Sequence, residues 1–309
     1  MAEKLKGKNG IVELFRFICS VWVAYYHGFS PVISDKFNGV NISVDLFFMI
    51  SGYFFLASIE KYREKPILQG IRFIGWDRNK RFIVPLIIAA TSILVCNLAV
   101  EWDGGFNWPL SFLWFFVAQF LYLTLFYLLY KAVKKRFVFN IICGVIICVF
   151  MSLFRLEISA LDIPFRGPAM LAMGMLLSQI PKIRINSRDE ARAARRSLTV
   201  NIIGFVIMLG ISVYLAYLPE FTIWKLHLFT LVVCPMLLYF ATAIPLKSRL
   251  LNLLGEFSIF IYLAQCPILL HYYFVSRDPM PQFILLCVCA LALFGINRLV
   301  NMKKKKAGA

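Results

Sequence analysis

The stretch IVELFRFICSVWVAYYHGF, residues 11–29, decides how the rest of the chain is read. It is apolar and close to the roughly 20 residues that a helix needs to cross a bilayer. It nevertheless carries Glu13, Arg16, Ser20 and His27. Arg16 and His27 are eleven steps of 100° apart, which is about 20° from whole turns, so they share a face. Ser20 falls between them on that face and Glu13 lies one turn before Arg16. The Arg and the His are roughly 16 Å apart along the axis. A charge in hydrocarbon costs at least about 2.5–3.5 kcal/mol on insertion scales, so this stripe is expected to face a bundle interior or a watery cavity. It is the first candidate functional site.

The whole chain repeats that apolar character. Its 309 residues are 61% hydrophobic and 16% charged, with a mean hydropathy of +0.76. Such a composition defines an all-α polytopic membrane protein. Apolar windows at 11–29, 41–59, 82–100, 110–130, 137–154, 165–180, 197–217, 224–244, 251–273 and 282–300 predict a bundle of about ten transmembrane helices. The sixth is the shortest. No repeat, soluble domain or long linker interrupts them, so residues 1–309 are expected to form a single integral membrane domain.

The net charge of +17 raises the question of nucleic acid or another anionic partner. With the N-terminus in the cytoplasm, the predicted inner segments hold 27 of the 33 Lys and Arg and the outer segments hold 5. That imbalance accounts for the charge by topology. It predicts both termini in the cytoplasm of a multi-pass inner-membrane protein, with no nucleic-acid partner. The eight cysteines all lie in apolar runs, at spacings that match no zinc or redox pattern, and read as small core residues.

Other polar residues stand out against this background. Asp45 lies early in the second window, NISVDLFFMISGYFFLAS. If the first helix runs outward, His27 and Asp45 both fall in the outer half of the membrane. The carboxylate there either orients the imidazole or satisfies a separate interfacial bond. Ser51 and Gly52 allow close approach, by a ligand or by a packed helix. Arg78 and Arg81, in GWDRNKRFIVP, share a face if the chain enters the membrane as a helix. They suit phosphate oxygens at the inner surface, with headgroup contact and plain topology as the alternatives. Arg166 either meets an anionic or sugar ligand or snorkels to the headgroups. His227 and His271 sit near span ends with no metal-like spacing, and no metal is expected.

Arg16 followed by His27, then VDLFFMISGYF at 44–54, then Arg78, Arg81 and Pro85 in RNKRFIVP, in this order and spacing, resemble the membrane acyltransferase 3 family. LWFF at 113–116, FRGPAMLAMGMLL at 165–177 and GEFSIFIYLAQCPIL at 255–269 extend the resemblance over nearly the whole chain. It implies transfer of an acyl group, usually acetyl, from acetyl-CoA or another short acyl-CoA in the cytoplasm to a hydroxyl of an extracytoplasmic or lipid-linked glycan. Carried over by position, His27 is the catalytic histidine, Arg16 its motif partner and Asp45 an orienting or ligand-contacting group. Arg78 and Arg81 become the CoA phosphate contacts, with Ser51 on the donor side, while Glu13, Arg166 and Gln265 are the substrate-side candidates. The family often has a histidine where this chain has Gln265, and Gln cannot shuttle a proton at neutral pH. The reading from another class is a transporter or flippase, in which His27 and Asp45 relay protons. Oligomeric state is not legible in the sequence.

Overall fold

A computed structural model describes residues 9–29, 39–99, 110–133, 135–154, 162–183, 189–217, 223–274 and 279–307; of His27, Arg81 and His271 it describes the backbone alone. The described residues are helical with no strand. They form α1 (Gly10–Phe29), α2 (Gly39–Glu60), the short α3 (Ile67–Arg72), α4 (Ile83–Ala99), α5 (Leu110–Ala132) and α6 (Arg136–Phe154). There follow α7 (Asp162–Leu177), α8 (Glu190–Tyr217), α9 (Ile223–Leu228), α10 (Cys234–Ala243), α11 (Arg249–Phe274) and α12 (Pro279–Ala307). A π-turn at Phe229–Val233 joins α9 and α10 into one rod.

Counting that rod once and leaving out α3, the described helices coincide with the ten apolar windows. Fewer of them qualify as spans. Four segments, Ser43–Glu60, Phe115–Ala132, Glu190–Leu215 and Pro281–Met302, are long and apolar enough to cross a membrane over the described residues. The expectation of about ten spanning helices therefore exceeds what the structure shows. Residues 83–95, 136–152 and 229–243 are apolar but shorter. Helix α1, with its polar stripe, is also not among the four.

Burial sorts the helices into an inner and an outer set. The helix over the shortest window, α7, is the most enclosed, with Ala169, Met170, Leu171, Ala172 and Met175 inaccessible. It packs along α2 at backbone distance. A Cβ on Gly52 would lie 2.1 Å from the Leu171 carbonyl oxygen, and one on Gly174 would lie 2.0 Å from that of Met49. Glycine at both positions is what permits the contact, as in small-residue seams between membrane helices. Gly52 thus belongs to a packing seam. Helices α8 and α12 are peripheral: Val206, Ile207, Val288 and Leu291 are all more than half exposed. Apolar surface of that extent on two long helices belongs against lipid. Cys19, Cys143, Cys234 and Cys266 are core residues as expected, whereas Cys148 and Cys287 are exposed, on the bundle's outer surface.

The basic segments gather at one end of the bundle. Asn9 caps α1, its Oδ1 accepting from the Ile11 and Val12 amides, while its Nδ2 donates to the carbonyls of Ala241 and Ile244 at the end of α10. One side chain thereby satisfies orphan groups of two helix termini. Lys182 Nζ donates to Tyr239 O at 3.1 Å and Thr242 Oγ1 at 2.6 Å, and lies over the rings of Tyr53 and Tyr239. The Lys131 amine donates to the carbonyls of Arg63 and Lys65. Arg298 of α12 pairs with Glu256 of α11 at 3.7 Å.

Candidate active site

Helix α1 is held between α2 and α11. It runs parallel to α11: a Cβ on Gly10 would touch Leu251, and one on Gly255 would collide with the Glu13 carboxylate. Residue n of α1 therefore faces roughly residue n + 242 of α11. The missing side chain at Gly255 leaves Glu13 a berth, and Glu13 is only 7% exposed. Its two carboxylate oxygens each accept from Arg16 Nη1 at 3.4 Å.

These two residues open into a cavity of about 400 Å³. Its walls are Asn9, Glu13, Arg16 and Ser20 from the start of the chain; Phe47, Ile50, Ser51, Phe54, Phe55 and Ser58 from α2; and Phe115, Phe116 and Gln119 from α5. Phe73, Arg78, Asn79 and Phe82 close it near the basic end, and Ser258, Ile259 and Tyr262 of α11 complete it. The polar stripe of the first helix thus has the cavity that its cost requires. With Arg16 and Arg78 against Glu13 alone, the charged lining is net positive and suits an anionic ligand. The aromatic walls suit an apolar or amide-bearing chain.

The backbone carrying Arg78 departs from the expected helix. Residues 73–77 form a π-turn in which the Arg78 amide donates to Phe73 O, and Asn79 Nδ2 donates to Gly75 O at 3.0 Å. A 3₁₀ turn, Lys80–Phe82, then leads into α4. Pro85 explains the break. In the first turn of α4 it is tolerated, but it offers no amide to Arg81 O, so the α-helix cannot be extended regularly through Arg81. Arg78 lines the cavity. The Arg81 side chain lies outside the described residues.

Ser51, read in the sequence as a close-approach position, lines the cavity and accepts a hydrogen bond from Gln119 Nε2 at 2.5 Å. Gln119 was not singled out in the sequence, although a lone amide in the apolar run FVAQF is a legible signal. Ser258 and Tyr262, one turn apart on α11, were also missed. Their types are ordinary in helices, and nothing in the chain marks the face they share.

On the far side of α2, Asp45 and Arg166 form an ion pair in which each side chain is 2% exposed. Cys234 of α10 adjoins them, and Cys19 of α1 hydrogen-bonds Ser43. Arg166 thus turns inward onto a carboxylate and does not snorkel to the headgroups. The His27 side chain lies outside the described residues, so its meeting with Asp45 is not among the observed contacts. Gln265 is buried in α11, and neither end of its amide has a hydrogen-bond partner among the described residues.

An all-helical membrane protein with a cationic, aromatic-walled cavity at its basic end is the class that the fold and site define. The family model described as the acyltransferase domain matches residues 9–296, and the chain belongs to that family, the membrane acyltransferase 3 family. No curated protein and no solved structure matches it. The protein is a membrane acyltransferase.

Proposed function

We propose that this protein moves an acetyl or other short acyl group from cytoplasmic acyl-CoA to a hydroxyl of an extracytoplasmic or lipid-linked glycan. The observation that carries this reading is the meeting of the α1 stripe, Glu13–Arg16–Ser20, with Arg78 and Ser51 in one cavity. Arg78, with Arg81 beside it in sequence, receives the CoA phosphates, and the pantetheine arm extends between the phenylalanine walls with the thioester leading. Arg16, held by Glu13, keeps positive charge along that route.

In the transfer step His27 acts as general base or as transient acyl acceptor. In the first version the acceptor hydroxyl gives its proton to His27 and its oxygen attacks the thioester carbonyl carbon. The C–S bond then breaks, and the departing CoA thiolate takes the proton. Asp45 supplies negative charge that favours the imidazolium, and Arg166 prevents that carboxylate from being an uncompensated buried anion. The same proposal has residues 1–309 as one domain, ten transmembrane segments, both termini in the cytoplasm and an inner-membrane location. The 27-to-5 distribution of Lys and Arg supports that topology.

The test is mass spectrometry of surface glycan from a deletion strain complemented with wild type or with His27→Ala. The wild type should restore an O-acyl group that the variant, present at equal membrane level, does not. Restoration by His27→Ala would refute the catalytic assignment.

A further inference from the structure

The cavity stops at a cluster of rings. Tyr262 packs on Phe115 and Phe116, with centroids 5.8 and 5.5 Å apart, and the lining ends with these residues and Ser20. Ser258 and Tyr262, four residues apart, look into the cavity from one face of α11. Gln265, three residues further, continues that face outward. By the parallel register of α1 and α11, Gln265 stands level with Val23, between cavity-lining Ser20 and His27. Its position on α11 is about 6 Å along the axis below that of His27.

A primary amide buried here is costly. Gln265 is 5% exposed, and its Nε2 and Oε1 both lack a hydrogen-bond partner among the described residues. Its chain neighbours Ala264 and Cys266 are buried in an apolar cluster with Ala24. A methionine would fill a similar shape without the penalty of about 1–3 kcal/mol for each unsatisfied group. The amide therefore calls for a ligand that reaches it beyond the ring cluster.

We propose that Gln265 is a catalytic residue whose Nε2–H donates to the carbonyl oxygen of the acyl thioester, and to the oxyanion formed there when the acceptor hydroxyl attacks. This rests on the acyl-transfer reading above and adds a group to it. A neutral amide suits the role. It stabilises developing charge on oxygen without taking a proton, and a low-dielectric, water-poor site strengthens the bond. In the step, the oxyanion collapses, the C–S bond breaks, and the proton taken by His27 passes to the CoA thiolate. Gln265 itself exchanges no proton.

The experiment supplies labelled acetyl-CoA to deletion-strain membranes that contain their own acceptor and carry wild type, Gln265→Met or Gln265→Glu. Label entering the glycan is followed against acetyl-CoA concentration. Thermal unfolding of each purified protein is measured in parallel. Both variants should lose about 10²–10³-fold in the saturated rate, the cost typical of removing an oxyanion donor. The half-saturating acetyl-CoA concentration should stay the same, as for an interaction made chiefly in the transition state. Gln265→Met should unfold at or above the wild-type temperature. A wild-type rate in Gln265→Met, a loss confined to half-saturation, or a rate loss accompanied by a lower unfolding temperature would overturn the proposal and leave acyl transfer standing. No label transfer by wild type would overturn both.

Discussion

Asp45→Asn is the most direct probe of how the bundle is held together. Asp45 and Arg166 are each 2% exposed, and their contact ties α2 to α7 across 121 residues of sequence. Asn keeps the shape of the side chain but withdraws its charge, so the pair with the Arg166 guanidinium is lost. Breaking a buried pair in this way costs about 3–5 kcal/mol. At about 2–4 °C per kcal/mol for a chain of this order of size, the unfolding temperature should fall by on the order of 10 °C. Arg166→Met should cost a similar amount by stranding the carboxylate. The double variant Asp45→Asn/Arg166→Met removes both charges and should recover most of the loss, because pairs replaced together are often close to neutral. The assay is thermal unfolding in detergent followed by intrinsic fluorescence, with cycle closure over the four proteins. If Asp45→Asn melts within about a degree of wild type, or the double variant is no better than the worse single one, the two charges are not stabilising each other.

Three further outcomes follow from the same geometry. Gly174→Ala puts a Cβ 2.0 Å from the Met49 carbonyl oxygen, a backbone atom that can only move with its helix. The α2–α7 seam should open, with a loss of about 1–3 kcal/mol in stability measured in the same way. Arg78→Ala should raise the half-saturating acyl-CoA concentration several-fold with little change in saturated rate, and an unchanged value would remove Arg78 from the donor site. Burial pulls the Lys182 ammonium, just beyond α7, from 10.5 down to about 8. The unfolded chain then holds more protons between those values, so this lysine's contribution to stability should rise as pH climbs from about 8 toward 10.5. The unfolding temperature of wild type relative to Lys182→Met should climb across that window, and a flat difference would count against a depressed pKa.

Much of the site was readable from single residues. The stripe on residues 13, 16 and 20 had to face something polar because its charges are costly in hydrocarbon, and it does face a cavity. Arg78 and Ser51 were identified as donor-side candidates, and both line that cavity. Asp45 and Arg166 stood out as lone charges in apolar runs. Their mutual pairing was not legible, because no local periodicity links residues 121 positions apart. Gln119, Ser258 and Tyr262 escaped notice for a related reason: nothing in the chain states which face of α5 or α11 turns inward.

By itself the sequence determined the class of protein, the positions of the helices and the concentration of positive charge in alternate loops. These are consequences of hydropathy, helical period and the free energy of moving ions into lipid, each read within a window of some twenty residues. Tertiary structure alone decided which helices form the interior. The short α7 lies at the centre because Gly52 and Gly174 let it touch α2 backbone to backbone, while α8 and α12, whose apolar stretches are long enough to cross a membrane, lie outside. It also broke the expected helix at Arg78 by pairing a π-turn with Pro85, and it left the Gln265 amide buried beside α1 without a hydrogen-bond partner among the described residues. Such outcomes depend on how surfaces from distant parts of the chain fit, and a one-dimensional pattern does not contain that fit.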